Sequence, residues 1–247
     1  MAVLVTRPLP DGETTAADLR ARGIQAITAP MLRFEPFGFR NDDVAYGGVL
    51  VTSVNALRAV ESALAGSSLL KLPLFAVGER TAAAARAAGF AEVVAGEGDA
   101  AALRDLVIEN AKAKKLKKAK PLLYLAGEEL ARDLAGELAN KGFEVVTQIT
   151  YRMVPAKSLP GEVVDGFAAG RIEAVLHYSR RSARAFVDAA RAGGVEISAL
   201  SLPQCCISPA VAEIVRDAGA TQVTVAASPD ENALFEALKR ALPARLA

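Results

Sequence analysis

The chain has one histidine in 247 residues, His177, and it lies inside an apolar run. A packed or hydrogen-bonded ring is the expectation there, which leaves no histidine for a catalytic triad or a zinc site. Acid catalysis would then fall to tyrosine, carboxylates or water. Cysteine is almost as scarce: Cys205 and Cys206 are the only two and are neighbours. Adjacent cysteines cannot easily reach normal disulfide geometry, and there is no CxxC pair or Cys/His cluster. They are expected as buried strand residues in a reducing cytoplasm. Aromatics are 5% of the chain and the formal net charge is +1, so no global field favours nucleic acid or an anionic membrane. The basic run Lys112 to Lys120 contains no aromatic for base stacking and is expected to be a solvated helix end and loop. No apolar run approaches the roughly 20 residues of a membrane span. The start goes straight into Val3-Leu4-Val5, unlike a signal peptide. GxGxxG, Walker A and GxSxG are all missing; Gly96-Glu97-Gly98 lacks the third glycine.

What the chain does have is a second copy of itself. A constant shift of 119 residues carries Leu4 to Leu123, Leu19 to Leu138, Gly23 to Gly142, Arg33 to Arg152 and Pro36 to Pro155. Val49 to Ser53 matches Val175 to Ser179, and Pro73 to Gly89 matches Pro203 to Gly219. Such self-similarity means duplication of a folding unit. Two copies predict two similar lobes with a cleft for ligand.

Each half alternates short apolar runs with amphipathic helices, the pattern of βαβ units and parallel sheets. The spacing predicts strands at Val3 to Val5, Ile24 to Ala29, Val49 to Thr52, Leu74 to Val77, Glu92 to Ala95, Leu122 to Leu125, Phe143 to Thr147, Ala174 to Tyr178, Gln204 to Ile207 and Gln222 to Ala226. Helices are predicted near Thr15 to Arg22, Asn55 to Leu64, Thr81 to Ala88, Ala100 to Ala111, Glu129 to Lys141, Ser182 to Ala192, Ala210 to Ala218 and Glu231 to Ala241. The fold class is α/β: two similar doubly wound parallel-sheet lobes joined by a two-stranded connector. Met31 to Gly38 and Ile149 to Ala156, extended and ending in proline, are the expected connectors.

Ligands of open parallel sheets bind beyond the carboxyl ends of the strands. Those ends read Thr6-Arg7, Thr52-Ser53, Gly78, Ala126-Gly127, Tyr178-Ser179 and Ser208. Most run directly into helices, whose free N–H groups and dipoles attract anions. Serine and threonine there could equally be helix caps, but a cap does not account for Gly78 and Gly127. Tyr151 falls in the second connector, either as a hydrogen-bond donor to ligand or as hinge packing.

Thr6-Arg7-Pro8, Thr52-Ser53 with Asn55-Ala56 and Arg58, Val77 to Ala82, and Thr150-Tyr151-Arg152 together resemble uroporphyrinogen-III synthase, in order and over nearly the whole chain. The resemblance implies a cofactor-free, metal-free lyase of tetrapyrrole (heme) biosynthesis. Such an enzyme expels the hydroxyl of hydroxymethylbilane as water and closes the ring with the last pyrrole inverted. It also implies Tyr151 as the catalytic residue and Thr52, Ser53, Gly78, Thr81 and Ser179 as substrate-binding residues. Arg7 and Gly127 join them from their strand-end positions. The family's lobe exchange implies lobe 1 as 1–34 plus 156–247 and lobe 2 as 38–150, with connectors 33–37 and 150–155. The expected partner is a linear tetrapyrrole, with no nucleic acid and no membrane, for a cytoplasmic monomer. Two places depart from the family's pattern: Ser208-Pro209-Ala210-Val211 lacks the hydroxyls usual there, and Tyr178-Ser179-Arg180-Arg181 adds charge. A non-catalytic two-lobed binder of a small polyanion and a nucleotide or sugar-phosphate enzyme are the alternatives. The first usually carries a signal peptide and the second a glycine-rich phosphate loop.

Overall fold

A computed structural model describes residues 1–40, 42, 44–114, 116–117 and 119–242. The chain opens with strand β1 (Ala2–Val5), helix α1 (Asp11–Ala21), β2 (Ala26–Thr28) and β3 (Leu32–Pro36). It continues through β4 (Gly48–Val51), α2 (Val54–Leu64), a 3-10 turn at Ser68–Lys71, β5 (Pro73–Ala76), α3 (Glu79–Ala87), β6 (Glu92–Ala95) and α4 (Ala100–Lys112). Then come β7 (Leu122–Gly127), α5 (Leu134–Ala139) and β8 (Val145–Pro155). The remainder is α6 (Gly161–Ala168), β9 (Ile172–His177), α7 (Arg180–Ala192), α8 (Glu196–Leu200), β10 (Gln204–Cys206), α9 (Pro209–Asp217), β11 (Val223–Val225) and α10 (Glu231–Ala241).

Two compact units result: Met1–Arg33 with Val154–Ala247, and Phe34–Met153. The first is built on a sheet of order β11-β10-β9-β1-β2, the second on β3-β8-β7-β4-β5-β6. The pairings of β1 with β2 and β9, and of β7 with β4 and β8, are parallel. The order β2-β1-β9-β10-β11 in one unit corresponds to β8-β7-β4-β5-β6 in the other. The duplication therefore extends to topology. It also extends to backbone conformation: Gly23 and Gly142 have φ of 79° and 80°, and Gly89 and Gly219 have φ of 98° and 102°.

The central strands are apolar on both faces because both faces are covered. In β1, Val3 and Val5 face the core under α1 and α10, while Leu4 faces the core under α6, α7 and α9; all three are fully buried. In β4, Val49 and Val51 meet α2 and α3, and Leu50 meets α4 and α5. Each such aliphatic side chain contributes roughly 1.5–3 kcal/mol by burial. Reversal of strand order places one switch point between β1 and β9 and another between β4 and β7. Ligands of doubly wound sheets collect at such crevices.

Several expected boundaries are corrected. Helix α1 starts at Asp11, four residues early, because Gly12 allows its first turn to lie on the backbone of Arg7; a Cβ there would stand 2.6 Å from the Arg7 carbonyl oxygen. Helix α5 is only six residues long, since the Asp133 carboxylate accepts from the Gly136 N–H at 2.9 Å and starts the helix there. Helices α6 and α8 lie where the sequence pattern predicts none. Strand and second connector are one continuous strand, β8. The basic run is exposed at Lys112, Lys114, Lys117 and Lys120, but Leu116 within it is buried in the core of its unit; Lys115 and Lys118 lie outside the described residues. Among the described residues no helix is long and apolar enough to cross a membrane.

Candidate active site

In the unit Phe34–Met153 the carboxyl ends of β4, β5 and β7 bring forward Thr52-Ser53, Gly78 and Gly127. Ser53 caps α2, its hydroxyl accepting from the Asn55 N–H at 3.2 Å. Gly78 caps α3 with extended backbone and no side-chain bond, so the first-turn N–H groups of that helix meet no side chain of their own cap. Thr81 sits in that first turn and is 6% exposed. Thr52 is anchored: its hydroxyl lies 3.0 Å from the hydroxyl of Tyr124, a strand residue only 2% exposed. Burial raises the Tyr124 phenol above its ordinary value, with the Thr52 hydrogen bond opposing the shift.

Tyr151 stands opposite Gly127 in the β7–β8 pairing and packs against the core under α2 and α3. Its ring centroid is 5.6 Å from that of Phe34. The guanidinium of Arg58 also lies over the Phe34 ring, at 5.5 Å, and donates to the Asn55 side chain at 3.5 Å. No carboxylate among the described residues pairs with Arg58. It is therefore a cation in the first turns of α2, against the same Phe34 ring that Tyr151 packs on, with no carboxylate to match its charge among the described residues. Asn55 also reaches the Met153 sulfur at 3.6 Å.

In the other unit Arg7 and Ser179 border the β1/β9 switch point. Arg7 is engaged: it donates to Asp11 at 3.1 Å, to Glu231 at 3.2 Å and to Thr15 at 3.3 Å, with its guanidinium 4.7 Å above the Tyr178 ring. Glu231 also accepts from Tyr178 at 3.0 Å and from Thr15. Burial, with the Glu231 carboxylate adding to it, drives the Tyr178 phenol well above its ordinary range. Ser179 caps α7 through the Ser182 N–H at 3.1 Å and pairs with the Ser182 hydroxyl at 2.8 Å. Ser208 begins α9 without a side-chain cap, ahead of Pro209.

His177 is fully buried, its Nε2 2.9 Å from the Gln204 side-chain carbonyl oxygen. The Gln204 amide gives its hydrogens to the Ala199 and Leu202 carbonyls, so the imidazole must be the donor. Burial lowers its pKa to about 4, and Nδ1 has no hydrogen-bond partner among the described residues. Cys205 and Cys206 are buried on opposite faces of β10, and burial pushes both thiols up to about 12. Neither is available as a nucleophile.

The site candidates thus fall into two sets. Thr52, Ser53, Gly78, Thr81, Gly127 and Tyr151 share one sheet edge; Arg7 and Ser179 share the other. Tyr124 escaped the sequence reading. Its signal was a phenol inside the aliphatic strand Leu122 to Gly127, because a buried phenol requires a partner.

The family model Uroporphyrinogen-III synthase HemD matches residues 13–236. The chain belongs to the uroporphyrinogen-III synthase family. It is a lyase of porphyrin biosynthesis that cyclises a linear tetrapyrrole. The uroporphyrinogen-III synthetase from Helicobacter pylori shares the fold with a TM-score of 0.66 at 16% identity, over 98% of this chain and 99% of that one. A mutant uroporphyrinogen III synthase from Thermus thermophilus follows at 0.58 and 17% identity, with the same coverage. No curated protein matches the chain in sequence.

Proposed function

We propose that this synthase works by holding hydroxymethylbilane rather than by strong acid–base chemistry, with Tyr151 as the one proton donor to the leaving group. The substrate carries its own driving force. The pyrrole nitrogen lone pair expels hydroxide from the terminal CH2OH, breaking the carbon–oxygen bond and leaving an azafulvene-like cation. Tyr151 delivers its proton to the departing oxygen, which leaves as water. The last pyrrole then attacks through its substituted carbon, and rearrangement of the spiro intermediate inverts that ring. General acid help of this kind is worth roughly 10²–10⁴-fold; keeping the flexible chain in the geometry for spiro attack is an orientation problem.

In this reading substrate carboxylates are met in the unit Phe34–Met153 by the α2 and α3 N-termini with Thr52, Ser53, Gly78 and Thr81 and by Arg58; the α7 N-terminus with Ser179 is the carboxylate-binding element of the other unit. Arg7 contributes mainly by fixing its own sheet edge, because Asp11 and Glu231 already match its charge. The lobes of the working enzyme are residues 1–34 plus 156–247 and 38–150. It acts as a cytoplasmic monomer without nucleic acid, in keeping with a net charge of +1.

The observation that carries the reading is the company of Tyr151. It is a phenol at the carboxyl edge of the sheet, joined through the Phe34 ring to a guanidinium with no carboxylate partner among the described residues. The test is Tyr151→Phe. Turnover should fall about 10-fold or more with folding unchanged. A rate within about a factor of two of the parent would remove Tyr151 from the chemistry.

A further inference from the structure

Strand β8 pairs with β7 in regular register as far as Ala126↔Ile149, and the next pair is Gly127↔Tyr151. Thr150 is therefore an extra residue, a β-bulge. Its consequence is visible in the packing. Val146 and Tyr151 lie against the same core although an odd number of positions separates them. In an unbroken strand, alternation would turn them to opposite faces. The bulge reverses the alternation and brings the phenol to its present side. Bulges that re-aim a side chain recur beside active sites.

The bulge is held by specific bonds. Thr150 is fully buried; its hydroxyl donates to the Ala126 carbonyl at 3.1 Å and its carbonyl accepts from the Phe37 N–H at 2.7 Å. The Tyr151 carbonyl accepts from the Glu128 N–H at 2.9 Å. Opposite it, Gly127 leaves the space the ring occupies. A Cβ at Gly127 would stand 2.7 Å from Tyr151 Cζ, 2.9 Å from its hydroxyl oxygen and 3.1 Å from Cε1. The backbone at Gly127 lies outside the left-handed region. The close approach of the hydroxyl end of the ring is thus what calls for glycine at this position, and the backbone itself would accept alanine.

We infer that Gly127 and Thr150 are positioning residues for the reaction: together they place the Tyr151 hydroxyl, and Gly127 does so by lacking a side chain rather than by touching substrate. The inference rests on the reading of Tyr151 as proton donor.

The test compares Gly127→Ala, Thr150→Val, Tyr151→Phe and the double variant Gly127→Ala/Tyr151→Phe. Steady-state kinetics, thermal melting and NMR of 13C-ring-labelled tyrosine are recorded for each. Tyr151→Phe should lower kcat about 10-fold or more. Gly127→Ala should bring kcat to within about 3-fold of that value with little change in KM, and should cost nothing further in the Tyr151→Phe background, as residues acting through one group do in a double-mutant cycle. The Tyr151 resonance should move while those of Tyr46, Tyr124 and Tyr178 stay. Thr150→Val should change the same readouts in the same direction, and it carries the test if Gly127→Ala fails to fold. A merely structural role would lower the melting temperature and add fully to Tyr151→Phe, and that result overturns the inference. So does a Gly127→Ala or Thr150→Val protein with parental kcat and an unmoved Tyr151 resonance beside a slow Tyr151→Phe. A parental rate for Tyr151→Phe overturns the proton-donor reading, and the positioning role with it.

Discussion

His177 shows what one buried side chain does to the whole protein's response to acid. Its folded pKa, near 4, lies below the ordinary value of 6.5, because burial penalises the charged form. The unfolded chain therefore binds the proton first. This part of the stability is fully present above about pH 6.5 and is lost as pH falls toward 4, with a loss of about 2 kcal/mol between pH 7 and pH 5. Urea denaturation at those two pH values checks it. His177→Leu should be less stable at pH 7, since Gln204 loses its donor, but should show a much flatter pH slope. The packed histidine and the inert cysteines were legible in the sequence, because their apolar neighbours fix their surroundings. The pairing of Tyr124 with Thr52 was not. Seventy-two positions separate the two residues, and only strand order brings them together. For the same reason the engagement of Arg7 is not legible from its strand-end position: its partner Glu231 lies 224 positions away.

Helix caps and strand ends are where stability and the proposed substrate contacts overlap. Ser53 and Ser179 cap α2 and α7, so Ser53→Ala and Ser179→Ala should each lower stability by about 1 kcal/mol as well as weaken turnover modestly. Thr81 is not a cap, so Thr81→Ala should weaken turnover with less effect on melting. Parallel thermal melts and kcat/KM values separate the two behaviours; an abolished activity in any one folded variant would replace distributed holding by a discrete group at that position. Glu231 accepts bonds from Arg7, Thr15 and Tyr178 and so ties the first turn of α10 to α1 and to the end of β1. Glu231→Ala should cost about 1–3 kcal/mol in urea denaturation, because a partly buried phenol and the Arg7 guanidinium lose their acceptor. Apolar runs gave away strands such as β1, β4 and β9. The bulge in β8 left no such mark, since an extra residue changes register without changing composition. Helix α5 was overextended because periodicity continues through Glu129 to Arg132, whereas the Asp133 cap decides where the helix starts.

The duplication governs the molecule as a whole. One shift of 119 residues relates β1 to β7 and the glycines that end α1 and α5, and both sheets repeat a single strand order around a switch point. That much is written in the sequence, because each copy must bury the same two faces. The balance of contacts at each sheet edge is not written there, because it depends on partners drawn from distant parts of the chain. A substrate held through several carboxylates should bind more weakly as ionic strength rises, since exposed charges are screened within about 10 Å at 0.1 M salt; KM measured across a salt series should therefore climb while kcat changes little. The most direct measurement of the account is the product itself. Hydroxymethylbilane supplied to the pure protein should give uroporphyrinogen III, with the last ring inverted, and the non-inverted isomer should appear in its place as Tyr151, Ser53 and Ser179 are replaced together. Formation of the non-inverted isomer alone by the parent protein, at the rate of the spontaneous reaction, would contradict it.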